Sequence, residues 1–119
     1  MPRILIVDDA PVIRRIIKRN LSPLTPNIEE ASNGQEALAC LLAGPKPDLI
    51  VCDWNMPLMD GPTFLRTMRS RDMRIPVLMI TTENEASSIA LAENLGIRGY
   101  LSKPFTEEDL IRTVKSILR

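Results

Sequence analysis

Three short runs in this chain are apolar without interruption and rich in β-branched residues: Ile4-Leu5-Ile6-Val7, Leu49-Ile50-Val51-Cys52 and Val77-Leu78-Met79-Ile80. A strand with one wet face alternates apolar and polar side chains. A run with no polar side has both faces covered, as in a parallel sheet between layers of helix. Residues 27–31 and 99–101 are weaker strand segments, and the first reads as an edge.

Helical patterns fill the intervals. Pro11 suits a first helical turn. After it Val12, Ile13, Ile16, Ile17 and Leu21 form an apolar stripe, with Arg14, Arg15, Lys18 and Arg19 on the other side. Ser32-Asn33-Gly34 starts a second helix, with Ala37, Leu38, Leu41 and Leu42 as its stripe and Gly44 as its stop. Asp60-Gly61-Pro62 opens a third, carrying Phe64, Leu65 and Met68. A fourth runs over about 83–95 and stops at Gly96. Thr106 to Asp109 reads as a capping box, followed by Leu110, Ile111, Val114, Ile117 and Leu118. Five strand–helix units with right-handed crossovers make an α/β, doubly wound (βα)5 fold, a five-stranded parallel sheet with helices on both faces. A length of 119 residues holds one such domain, 1–119.

Composition excludes several functions. Histidine is absent, which removes Ser-His-Asp and Cys-His catalysis, His-ligated metals and any phosphohistidine on this chain. Lys plus Arg and Asp plus Glu are 15 each, against binding to nucleic acid through bulk positive charge. Cys40 and Cys52 form no CxxC and sit in apolar stretches, as buried free thiols of a reducing compartment. No apolar segment approaches the roughly 20 residues of a membrane span, and the N-terminus is not a secretory signal. The expectation is a soluble, cytoplasmic protein.

The polar residues that follow each strand carry the chemistry. Asp8 and Asp9 follow the first, Asp53 the third, Thr81 and Thr82 the fourth, and Ser102-Lys103-Pro104 the fifth. In an open α/β sheet these positions share the carboxyl edge, where ligands bind. If the first and third strands are neighbours, three carboxylates converge and repel. A hard divalent cation relieves this; Mg²⁺ fits, since it takes one or two carboxylates and keeps its waters. The Lys103 ammonium is the other relief. Cation and lysine together can clamp the oxygens of a phosphoryl group, and the nearest carboxylate can attack its phosphorus. Each aspartate alone is as readily a helix cap. Asp48 and Asp60 read as a loop residue and a cap.

Ile4-Leu5-Ile6-Val7-Asp8-Asp9, the stretch from Asp53-Trp54-Asn55-Met56-Pro57 to Asp60-Gly61, Thr81, and Lys103-Pro104-Phe105 resemble a response-regulator receiver domain of the chemotaxis CheY type, over the whole chain. The resemblance implies strand order 2-1-3-4-5 in a flavodoxin-like, CheY-like three-layer sandwich. It implies Asp53 as phosphoacceptor, Mg²⁺ on Asp8, Asp9, Asp53 and the Asn55 carbonyl, and Lys103 on a cis bond to Pro104. Thr81 would bond a phosphoryl oxygen, with Tyr100 as the aromatic switch behind it and the backbone N–H groups of Trp54 and Thr82 completing the cradle. Asn55 and Glu83 would tune how long the phosphoryl group lasts. The donor would be a sensor histidine kinase or phosphotransfer protein. The output would be a target protein on the face of the fourth helix, fifth strand and fifth helix, around Ser87, Ser88, Ile89, Leu91 and Ala92. The basic side of the first helix reads as solvated, or as a dock for an acidic kinase surface.

The leading reading is a monomeric, non-enzymatic, phosphorylatable single-domain switch, with dimerisation on activation and a role in chemotaxis left open. An alternative is a receiver cut from a longer, for example transcriptional, regulator. A small aspartyl-phosphate phosphatase fits less well, because the position two after its nucleophile carries a second acid where this chain has Asn55. A pseudo-receiver lacks one of the acids or the lysine, and none is lacking. An FMN protein of similar architecture needs a Ser/Thr-rich phosphate loop where Asp8 and Asp9 stand.

Overall fold

The computed structural model describes residues 1–82 and 86–119, with the side chains of 86–88 not described. Strands β1 (Ile4–Val7), β2 (Ile28–Ala31), β3 (Leu49–Cys52), β4 (Val77–Thr81) and β5 (Gly99–Ser102) alternate with helices α1 (Pro11–Leu21), α2 (Gly34–Ala43), α3 (Gly61–Ser70), α4 (Ala86–Asn94) and α5 (Glu107–Leu118). All neighbouring strands are parallel, in the order β2-β1-β3-β4-β5, with β2 and β5 at the edges.

Side chains alternate across a strand, so the three apolar runs feed two cores. Leu5, Val7, Ile50, Cys52, Val77 and Met79 pack with α2, α3 and Ala92 of α4. Ile4, Ile6, Leu49, Val51, Leu78 and Ile80 pack with Ile17 and Leu21 of α1 and Leu110 and Val114 of α5. β1, β3 and β4 are buried throughout, as unbroken apolar runs require.

Helix starts follow local chemistry. Asn33, Asp60 and Thr106 side chains accept from the backbone N–H groups of Glu36, Thr63 and Asp109. Gly96 closes α4 at φ +82°, where a side chain would be strained.

Three expectations change. Val12 is 60% exposed, because it lies about 140° around α1 from Ile17 at roughly 100° per residue. Leu42 is likewise exposed, about 100° beyond Leu41 and off the buried stripe. Cys40 is only half-buried, unlike Cys52, which faces the sheet core. Of the fourth helix, residues 83–85 lie outside the described residues. Among the described residues no helix is long and apolar enough to cross a membrane.

Candidate functional site

Parallel register assembles the site. Val7 stands opposite Cys52, so the residues that follow, Asp8 and Asp53, leave the sheet side by side. The Asp53 N–H donates to Val7 O at 2.9 Å, and the Asp8 N–H to Ala31 O at 3.1 Å, which carries the ladder one residue past each strand. Asp8 and Asp53 are buried and Asp9 is exposed, and each offers a carboxylate oxygen within 4.8 Å of the others. The placement is costly without compensation, since like charges so close penalise ionisation.

Compensation comes from the end of β5. Lys103 Nζ donates to Asp8 Oδ2 at 2.9 Å and lies 3.4 Å from Asp53 Oδ2. The Lys103 N–H donates to Thr81 O at 2.9 Å, and the Lys103–Pro104 bond is cis, as the family resemblance implies. The other oxygens are held locally: Asp8 Oδ1 accepts from the Ala10 N–H at 2.9 Å and Asp53 Oδ1 from the Trp54 N–H at 2.8 Å. Burial, then the charge of Asp8, push the Asp53 carboxyl above the ordinary carboxylate range, and Lys103 only partly opposes this. Burial works against the Lys103 ammonium, but its bond to Asp8 and the charges of both acids outweigh burial and raise its pKa.

One ammonium against three carboxylates leaves the cluster short of positive charge. The donors are all oxygens, the set a hard divalent cation takes, and exposed Asp9 leaves a side open to water. Thr81 at the end of β4 is fully buried, while Thr82 and Asn55 are exposed. Tyr100 is paired in register with Met79, and Thr81 lies two residues beyond Met79, so Thr81 and Tyr100 share one face of the sheet. The Tyr100 hydroxyl is buried. Trp54 is buried beside Asp53. Glu83 lies outside the described residues, as do the side chains of Ser87 and Ser88. On the rest of α4, Ile89 is half-buried, Leu91 is exposed and Ala92 is buried in the core.

Two residues tied to the site escaped the sequence reading. Gly61 donates its N–H to Trp54 O at 2.8 Å, and a Cβ there would fall 2.5 Å from Asp53 O. The DG pair reads only as a helix start, so nothing in it signals this approach. Arg14 does not belong to a solvated basic face: its Nη1 donates to Asp8 O at 2.6 Å and its Nε to Glu30 Oε1 at 3.1 Å. Asp48, expected as a plain loop residue, accepts the Arg3 N–H at 2.8 Å.

Residues 4–115 match the family model described as the response regulator receiver domain. The chain is 43% identical, over 97% of its length and 94% of the relative's, to "Chemotaxis protein CheY" of Pseudomonas aeruginosa. It is 37% identical to "Response regulator MprA" of Mycolicibacterium vanbaalenii, where it covers 98% of its own length and 50% of the relative's. Among solved structures it is similar to the chemotaxis response regulator CheY4 of Vibrio cholerae, with a TM-score of 0.90, 34% identity and 99% of both chains covered.

Proposed function

This chain belongs to the response regulator receiver domain family, as a receiver of the CheY kind, and from that premise we propose that Asp53 accepts a phosphoryl group in a Mg²⁺-dependent reaction. The carrying observation is the meeting of Asp8, Asp9 and Asp53 within 4.8 Å, with Lys103 bridging two of them. Asp8, Asp9, Asp53 and the Asn55 carbonyl would hold Mg²⁺. When bound, the ion supplies charge neutralisation for phosphoryl oxygens.

The chain's residues do the rest. An Asp53 carboxylate oxygen attacks phosphorus in line; the P–O bond forms as the P–N bond of a partner's phosphohistidine breaks, and the imidazole nitrogen keeps the electron pair. The donor acts in trans, because these 119 residues contain no histidine. Such transfer needs positioning and charge compensation more than covalent help. Lys103 turns from the carboxylates to a phosphoryl oxygen, and Thr81 and the N–H groups of Trp54 and Thr82 take others. Two charge-assisted contacts of about 1.5–3 kcal/mol each nearly supply the roughly 5.5 kcal/mol that moves a two-state population from 1:99 to 99:1. Thr81 and Tyr100 share a sheet face, which supports a route from the phosphoryl group to the α4–β5–α5 surface, where a target protein reads the state. Asn55 and Glu83 would set the phosphoryl lifetime.

The test uses a small-molecule phosphodonor with Mg²⁺. Wild-type protein takes up one phosphoryl group, Asp53→Asn takes none, and chelator stops uptake without unfolding. Label on Asp53→Asn, or full uptake in chelator, would refute the assignment. Signalling in chemotaxis follows the likeness to the Pseudomonas protein. A second reading, the receiver portion of a longer regulator, follows the relative of which the chain spans half. Neighbouring genes and the native reading frame decide between them.

A further inference from the structure

We infer that Arg14 is a positioning residue for the cation site: through the main-chain oxygen of Asp8 it fixes the Asp8–Asp9 peptide so that both carboxylates reach one ion. The inference rests on the proposed function, because it concerns the same site.

The turn from β1 into α1 is held by the Ala10 N–H on Asp8 Oδ1 at 2.9 Å and has few other constraints of its own. Ala10, the residue before the helix, makes no side-chain cap, and Pro11 has no N–H to donate. Among the described residues no hydrogen bond or ion pair holds the Asp9 side chain. The place from which Asp9 reaches the site is therefore set by the backbone, through the peptide that joins it to Asp8. That peptide's oxygen accepts from Arg14 Nη1 at 2.6 Å, a charge-assisted bond from one turn into the helix. The side chain of Arg14 is only 16% exposed, while Arg15, Lys18 and Arg19 are exposed.

Arg14 is itself aimed from a third element. Glu30 stands opposite Ile6 in the β1–β2 register and so faces α1. It accepts from Arg14 Nε at 3.1 Å and lies 3.6 Å from Lys18 Nζ. A planar guanidinium can serve the carboxylate and the peptide oxygen together, each from a different N–H. Lysine cannot match that fork.

Charge and position predict opposite signs, which makes the inference testable. A cation beside an acidic cluster opposes binding of a second cation, so on charge alone removing Arg14 tightens Mg²⁺ binding. If Arg14 holds the ligands in place, removing it weakens binding, as loss of an outer-shell partner does by about 10–100-fold.

The experiment titrates the whole chain with Mg²⁺ and follows Trp54, its single tryptophan, buried next to Asp53. Arg14→Met and Arg14→Lys are each expected to weaken binding by about ten-fold, and Glu30→Gln in the same direction by less. Tighter or unchanged binding in Arg14→Met, with Arg14→Lys equal to wild type, would overturn the inference. If Arg14→Met loses its cooperative melt, Arg14→Lys and Glu30→Gln decide. A metal-free readout separates this from the function itself: hydrogen exchange at the Ala10 amide, which bonds Asp8 Oδ1, should quicken in Arg14→Lys relative to the Ile17 amide in the middle of α1. Unchanged exchange overturns the inference. A wild-type protein blind to Mg²⁺ would sink the phosphoacceptor reading and leave the exchange result to judge Arg14.

Discussion

Lys103 sits closer to Asp8 than to Asp53: its Nζ is 2.9 Å from Asp8 Oδ2 and 3.4 Å from Asp53 Oδ2. Before any phosphoryl group arrives, the lysine chiefly neutralises the most buried acid of the cluster, and the Asp53 oxygen on that side is held less tightly. Lys103→Met leaves Asp8 as an uncompensated charge whose side chain is 3% exposed. The expected loss in metal-free buffer is about 3 kcal/mol, the scale for breaking a buried pair. Added Mg²⁺ should narrow the gap to wild type, since a ligand of the folded state stabilises it. Urea titrations with Mg²⁺ or chelator check both points.

Asp53→Asn is expected to stabilise the metal-free fold. Burial and the neighbouring Asp8 raise the folded-state pKa of Asp53, so the folded protein binds its proton more tightly than the unfolded chain does. That contribution is present below the ordinary carboxylate range and is lost as pH rises through the folded-state value. The variant should thus gain on wild type as pH rises across this window, then keep a constant lead. A rise of a few degrees in Tm near neutrality is the scale on which about 1 kcal/mol acts in a domain this size. Thermal melts between pH 4 and 8 (roughly the carboxylate window and above) give the answer, and a lower Tm for the variant throughout would contradict the electrostatic conflict.

Gly61→Ala tests the approach of α3 to the site. The added Cβ would meet Asp53 O at 2.5 Å and Trp54 Cα at 3.1 Å, both backbone atoms that cannot swing aside. The expected cost is about 1–3 kcal/mol, the range for overpacking, together with slower phosphoryl uptake because Asp53 is displaced. Gly44→Ala is the contrast: nothing lies within 4 Å of its Cβ and its φ is −144°. That variant should keep wild-type uptake and gain about 0.4–1 kcal/mol from reduced unfolded-state freedom. Chemical denaturation and phosphodonor kinetics on the pair distinguish a local clash from a general intolerance of glycine replacement.

The two thiols should differ sharply in reactivity. Burial, reinforced by Asp53, Asp8 and Asp60, pushes the Cys52 thiol far above the ordinary range, whereas Cys40 is half-buried and raised chiefly by partial burial. Since the thiolate is the reactive form, a thiol reagent at mildly alkaline pH should modify Cys40 slowly and leave Cys52 untouched until the protein unfolds. Peptide mapping of the labelled protein checks the order, and early label on Cys52 would contradict its place in the core.

Much of the fold was legible because its signals are local. Unbroken apolar runs mark two-sided burial, and Asn33, Asp60 and Thr106 mark helix starts through bonds made within a turn. The buried stripes of α1 and α2 are narrower than their apolar patterns at Val12 and Leu42, since an apolar residue on the flank of a helix fits a pattern without being buried. For the site, the sequence placed acids, hydroxyls and an amine at strand ends, but their meeting was conditional on which strands are neighbours.

The order β2-β1-β3-β4-β5 meets that condition. Residue order alone therefore determined a parallel α/β sheet with an acidic carboxyl edge, because apolar period and strand-end chemistry are properties of short segments. Tertiary structure decided that Lys103 joins Asp8 across 95 positions, that Gly61 abuts the Asp53 backbone, and that Arg14 is a tether instead of a solvated charge. Such contacts depend on register and on how helices seat against the sheet, and no local pattern encodes either.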